Sequence, residues 1–115
     1  MGLISNFFGS KKPYDLDSDT FGGKILNDKN AVILDVRTKE EHVVNRIPNS
    51  ILIDIYQPDF LSRIDQLDRS KNYYIYCRSG SRSGNAINHM VRMGFERVYH
   101  LQYGIISWNG ETENG

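Results

Sequence analysis

The segment Tyr73-Tyr-Ile-Tyr-Cys77 constrains the fold of this chain more than any other. Its aromatic and β-branched side chains suit a pleated surface covered on both faces, so the spacing predicts a strand that ends at Cys77. It runs straight into small and basic residues, Arg78-Ser-Gly-Ser-Arg-Ser83. From Ser83 to Met93 the apolar residues Ala86, Ile87, Met90, Val91 and Met93 form a stripe, with Gly94 in the stop position. That is the pattern of a helix packed by one face.

The same alternation recurs along the chain. Ala31-Val-Ile-Leu-Asp35 is a continuous apolar run, as in a strand buried on both sides of a parallel sheet. A short extended piece near Tyr14 precedes it, then a helix from Asp17 or Ser18 to Leu26, weakened by Gly22-Gly23. Thr38 opens a capping box: its hydroxyl can accept a free N–H of the first turn, and Glu41 can reach back to the Thr38 N–H. Ser50–Ile53 reads as a strand, and residues 58–67 carry apolar side chains at 60, 61, 64 and 67, which is helical spacing. Arg97–Leu101 reads as the last strand, and Gly104–Trp108 as a closing turn of helix. Strands alternating with helices predict an α/β fold, one central parallel sheet of about five strands with helices on both faces.

A chain of 115 residues holds one domain of this kind. The polar stretch Gly9-Ser-Lys-Lys-Pro13 marks residues 1–13 as tail and linker, 14–109 as the domain and 110–115 as a C-terminal tail. Leu3, Ile4, Phe7 and Phe8 could make one amphipathic turn against lipid, but so short a helix is marginal in water, and a frayed or self-packed tail is expected. Asn6 stands where a myristoylation pattern wants Ser or Thr. Fourteen basic and fourteen acidic side chains leave zero formal charge, which gives no reason to expect nucleic acid as partner. With no apolar run near the ~20 residues of a membrane span, and a single cysteine, a cytoplasmic monomer is expected.

That cysteine sits where ligands bind in open parallel sheets, outside the carboxyl ends of the strands. A thiol is a strong nucleophile as thiolate, and a helix N-terminus with nearby cations favours the anion. Both aids are at hand, since Arg78 and Arg82 flank Cys77 and a helix follows. Gly80 allows the backbone to turn its N–H groups inward, and Ser79, Ser81 and Ser83 add hydroxyl donors. A free cysteine is often only a small buried hydrophobe. A purely structural strand end, however, has no use for so many donors.

Cys77-Arg-Ser-Gly-Ser-Arg-Ser83 closely resembles the active-site loop of rhodanese domains. The resemblance extends to Asp35-Val-Arg37, Glu41, Ile47-Pro48, Gly94-Phe95 with Val98 and Leu101, and Gly104-Ile105 with Trp108, covering residues 14 to 109. It implies a thiosulfate sulfurtransferase-like enzyme in which Cys77 takes sulfur from a small donor, holds it as a persulfide and passes it to cyanide, a thiol or a protein acceptor. Arg78 and Arg82 would hold the anionic donor, the amides from Arg78 to Ser83 would stabilise the persulfide, and no cofactor would be needed. Asp35, Arg37 and Glu41 would support the fold, with Arg37 pairing to Glu40 or Glu41. The chain departs from the family pattern at Asn45-Arg46, Asn49-Ser50 and Tyr103, where Gly-His, Gly-Ala and a glycine are usual. The pocket rim is therefore expected to differ.

Two other functions compete with sulfur transfer. A cysteine phosphatase or arsenate reductase resembles Cys-x5-Arg, whereas Cys77 to Arg82 is the tighter Cys-x4-Arg. A non-catalytic rhodanese-like docking module usually has a degraded loop, and this one keeps its cysteine, glycine and both arginines. His42, His89 and His100 have no metal-ligand spacing and are expected in surface or packing roles, as are Tyr73, Tyr74 and Tyr76 in the sheet.

Overall fold

Two buried strands, β2 (Ala31–Asp35) and β4 (Asn72–Tyr76), lie parallel at the centre of the computed structural model, which describes residues 13–115. Three short strands complete the sheet: β1 (Asp15–Leu16), β3 (Ile51–Leu52) and β5 (Val98–Leu101). The order is β1-β5-β4-β2-β3, with every pairing parallel. The predicted α/β architecture is therefore present, with five strands.

Alternation along the two central strands divides the core in two. Leu34, Tyr73 and Ile75 pack on one face with Phe60, Ile64, Ala86, Ile87 and Met90. Ile33, Tyr74 and Tyr76 pack on the other with Phe21, Ile47, Leu101 and Ile105. The first face is covered by α3 (Phe60–Asp65) and α4 (Ser81–Arg92), the second by α1 (Ser18–Leu26) and a 3-10 turn (Ile105–Ser107). A helix α2 (Lys39–Val44) sits past the carboxyl end of β2. The three sheet tyrosines are packing residues, each at most 3% exposed. Among the described residues, no helix is long and apolar enough to cross a membrane.

Local signals set most of the boundaries. Asp17 caps α1 by accepting the Thr20 N–H at 2.9 Å. Thr38 and Glu41 form the capping box of α2, the Thr38 hydroxyl accepting the Glu41 N–H at 3.3 Å and the Glu41 carboxylate accepting the Thr38 N–H at 3.1 Å. Asn49 has φ 68°, a left-handed conformation that asparagine tolerates better than most residues. The C-terminal residues 110–115 fold back on the rim, where Arg46 and Glu113 exchange backbone hydrogen bonds at 2.9 Å. The predicted apolar turn at residues 3–8 lies outside the described residues.

The principal local correction concerns α4, which begins at Ser81 rather than Ser83. Gly80 occupies the N-cap with φ 108° and donates no side-chain cap, and the Ser83 hydroxyl does not open the helix. The acceptor for the first amides comes instead from Cys77, as the site geometry makes clear. Sequence rules for N-caps look for an oxygen and so miss a sulfur.

Candidate active site

Cys77 is the first residue beyond β4, and its side chain turns toward the start of α4. Its Sγ accepts the Gly80 N–H at 3.1 Å and the Ser83 N–H at 3.3 Å. The sulfur thus takes the place of an N-cap oxygen at the positive end of a twelve-residue helix. The loop keeps this shape because its own backbone is pinned from beyond β5: the Ile105 N–H donates to the Cys77 carbonyl at 2.9 Å and the Ile106 N–H to the Arg78 carbonyl at 3.3 Å. A side chain at Gly80 would overlap the Gln102 carbonyl oxygen, and one at Gly104 the Arg78 carbonyl. Both positions also require positive φ, so glycine answers two demands at each.

The other loop residues separate by exposure. Arg78, Ser79 and Ser81 are exposed, Gly80 and Arg82 half-buried, and Ser83 fully buried. Cys77 itself is 1% exposed. Arg78 lines one shallow groove with Arg37, Glu40, Val44 and Ile106. Arg82 lines another with Tyr56, Asn85, Asn88 and Arg92, its guanidinium 5.7 Å from the Tyr56 ring centre.

The carboxylate partners differ from expectation. Arg37 does not pair with Glu40 or Glu41: its Nε and Nη2 grip Asp35 at 2.9 and 2.8 Å, and Nη2 also donates to the Asn45 carbonyl. Arg37 precedes the helix instead of lying on it, so its nearest carboxylate is the buried one at the end of β2. Asp35 also accepts the Tyr76 hydroxyl at 3.1 Å and meets His42 Nδ1 at 2.8 Å. Burial and the Asp35 charge push the Tyr76 phenol up to about 12, keeping it a donor.

Glu41 is engaged elsewhere. Its two oxygens accept from Arg82 Nη1 at 2.6 Å and Nη2 at 2.9 Å, tying the capping box of α2 to the cysteine loop. The Arg82 hydrogen bonds, working against partial burial, hold the Glu41 carboxyl down at about 2. They push the Arg82 guanidinium up in turn.

Sequence reasoning missed His100. The Ser83 hydroxyl lies 2.8 Å from His100 Nδ1 and 3.5 Å from Cys77 Sγ, and His100 Nε2 lies 2.8 Å from Asp15 Oδ1. Asp15 and His100 are register partners on adjacent strands, a relation invisible until the strand order is known.

Comparisons with known proteins agree with this architecture. The family model for the rhodanese-like domain matches residues 23–111. A sulfurtransferase of Allochromatium vinosum is 28% identical over 94 residues, covering 82% of this chain and 86% of that protein. The protein YtwF of Bacillus subtilis is 34% identical over 90 residues, covering 78% and 84%. The crystal structure of a rhodanese-like domain protein from Staphylococcus aureus superposes with a TM-score of 0.75 at 28% identity, covering 88% of this chain and 97% of that one. With its family model spanning most of the folded body and its cysteine loop closed on the start of α4, this chain belongs to the rhodanese-like domain family.

Proposed function

We propose that this protein is a sulfurtransferase in which Cys77 takes a sulfane sulfur from a donor such as thiosulfate and carries it as a persulfide. The observation that carries the reading is the sulfur cradle: two backbone N–H groups aimed at Sγ from the start of α4, in a loop flanked by two arginines. Donors so placed favour negative charge on sulfur. The sulfurtransferase of Allochromatium vinosum, similar over most of its length, supports the same chemistry.

In the first half-reaction the Cys77 thiolate attacks the outer sulfur of thiosulfate. A new S–S bond forms, the donor's S–S bond breaks, and sulfite leaves with the electron pair. In the second half-reaction cyanide or a thiolate attacks the terminal sulfur, and Cys77 leaves as thiolate. This is ping-pong covalent catalysis. The acceptor comes from outside the chain, which has no second cysteine.

Arg78, exposed at the loop edge, meets the anionic donor first, and Arg82 adds its charge from the other side. The Arg82 fork is taken up by Glu41, and the loop is Cys-x4-Arg, so hydrolysis of aryl phosphates is not expected. Because Cys77 is buried, the donor reaches Sγ by displacing the exposed edge of the loop around Ser79.

Intact-mass spectrometry after incubation with thiosulfate tests the reading. The wild-type chain gains one sulfur and Cys77→Ser gains none. No gain with thiosulfate or with polysulfide, or an equal gain in Cys77→Ser, overturns it and leaves a docking role.

A further inference from the structure

The thiol that must ionise for this reaction is almost wholly buried, Cys77 being 1% exposed. A proton leaving so enclosed a sulfur needs an acceptor within the protein. A file of hydrogen bonds leads inward from Sγ: 3.5 Å to Ser83 Oγ, 2.8 Å from there to His100 Nδ1, and 2.8 Å from His100 Nε2 to Asp15 Oδ1. Ser83 is 0% and His100 5% exposed, so the file is enclosed by protein up to a surface groove that Asp15 and His100 line with Tyr14, Asn85 and Asn88.

The chemistry of the partners fixes its direction. An ionised carboxylate only accepts, so His100 Nε2 carries the hydrogen and Nδ1 is left as an acceptor. The Ser83 hydroxyl has one hydrogen, which points to Nδ1 at 2.8 Å in preference to the Gly80 carbonyl at 3.2 Å. The Ser83 oxygen is then open to the Cys77 S–H. Every donor in the file points away from the sulfur and toward Asp15.

Three elements build it: β1 supplies Asp15, β5 supplies His100 opposite it in register, and the first turn of α4 lays Ser83 above. Among the described residues, the groups facing the imidazole are Asp15 from β1, the Tyr14 ring 6.1 Å away from the segment before it, Ser83 and Gly84 from α4, and the Cys77 sulfur one hydroxyl further on. Gln102 donates to the second Asp15 oxygen at 3.4 Å.

We propose that Ser83 relays the Cys77 proton to His100, which Asp15 holds in the accepting tautomer, so that the thiolate forms without contact with solvent. The proposal rests on the sulfur-transfer reading of Cys77. Ser83 Oγ takes the thiol proton as its own hydrogen passes to His100 Nδ1, leaving a thiolate, a neutral serine, an imidazolium and the Asp15 carboxylate. The charge created on sulfur faces the Gly80 and Ser83 amides. When the acceptor removes the sulfane sulfur, the Cys77 thiolate takes the proton back by the same route. Ser83 is catalytic in touching the reacting sulfur, and His100 and Asp15 are positioning residues that act through it.

The test is single-turnover loading of sulfur from thiosulfate, followed from mildly acidic to alkaline pH in the full chain. Ser83→Ala keeps the backbone N–H to Sγ and removes only the hydroxyl. His100→Gln keeps hydrogen-bonding capacity but cannot take up a proton. Each variant loads about 10²-fold more slowly at neutral pH, and the deficit narrows in alkaline solution, where hydroxide admitted as the exposed loop edge around Ser79 moves aside takes the proton in place of the relay. Alkylation by iodoacetamide, which needs the thiolate but no sulfur donor, follows the same pH pattern. Thermal unfolding is recorded beside both, and should His100→Gln fail to fold, Ser83→Ala decides alone. Wild-type rates in Ser83→Ala, or a deficit equal at every pH, overturn the relay while the Cys77 reading stands. No sulfur gain in the wild type overturns the Cys77 reading, and the alkylation profile still judges the relay.

Discussion

Two arginine–carboxylate forks stand at the carboxyl end of the sheet. Arg37 and Asp35 are two residues apart, with side chains 5% and 0% exposed. Arg82 and Glu41 are separated by 41 positions, with side chains 18% and 28% exposed. Both are two-pronged, side-on through Nε and Nη2 at Asp35 and end-on through Nη1 and Nη2 at Glu41, and the surroundings differ. Around Asp35 the partners are protein groups, Tyr76, His42 and the Arg37 backbone. Around Arg82 there is a half-open groove with Tyr56 at its edge. A fork sealed in the core serves as scaffold. The same fork at a rim leaves its charge within reach of a ligand while it braces the loop that carries the sulfur.

The sharpest way to break this comparison is Asp35→Ala. It strands the Arg37 guanidinium in the core and removes one of two acceptors near the Tyr76 hydroxyl, leaving Ser50 Oγ at 3.0 Å, and loss of one partner of a buried pair is worth about 3–5 kcal/mol. Urea unfolding reads the effect. A loss no larger than that of Arg82→Ala would show that burial does not separate the two forks. Arg82→Ala is expected to destabilise by only about 1.5 kcal/mol. Its sulfur loading falls by about tenfold, the equivalent of ~1.4 kcal/mol of charge pairing with the anionic donor. Measured together, a loading loss that merely follows the folded fraction would make Arg82 a scaffold residue like Arg37.

The contrast also explains what the sequence made legible. The sheet strands, the Thr38–Glu41 capping box and the loop from Cys77 to Ser83 are all written within a few consecutive residues, and each was readable there. The expected pairing of Arg37 with Glu40 or Glu41 across the short helix does not form, because Arg37 lies ahead of the helix and turns back to Asp35. The apolar stripe places the start of α4 at Ser83, whereas the helix begins at Ser81 and its Ser83 amide is taken by a sulfur six residues earlier. The Arg82–Glu41 fork and the Ser83–His100–Asp15 file join segments 41, 17 and 85 positions apart. Only the order β1-β5-β4-β2-β3 brings them together. The histidines seemed scattered because their spacing in the chain carries no information about neighbours in a parallel sheet.

The smallest effect belongs to pH, and its sign follows from Glu41. The carboxyl is held at about 2 in the folded chain, chiefly by its hydrogen bonds from Arg82, against 4.5 for a free side chain. A depressed pKa means that the native state binds fewer protons than the unfolded one, so stability rises with pH through that interval. The contribution is complete above roughly pH 4.5 and is lost as pH falls toward 2. Glu41→Gln removes it at every pH. The variant should therefore be less stable than wild type by about 1 kcal/mol at neutral pH, as for a partly exposed pair, with the gap closing on acidification. Thermal unfolding of both chains across that range measures the gap directly. A constant difference down to the lowest pH would mean that the Arg82 bracket owes its strength to packing and not to ionisation, and would erase the distinction between the rim fork and the buried one.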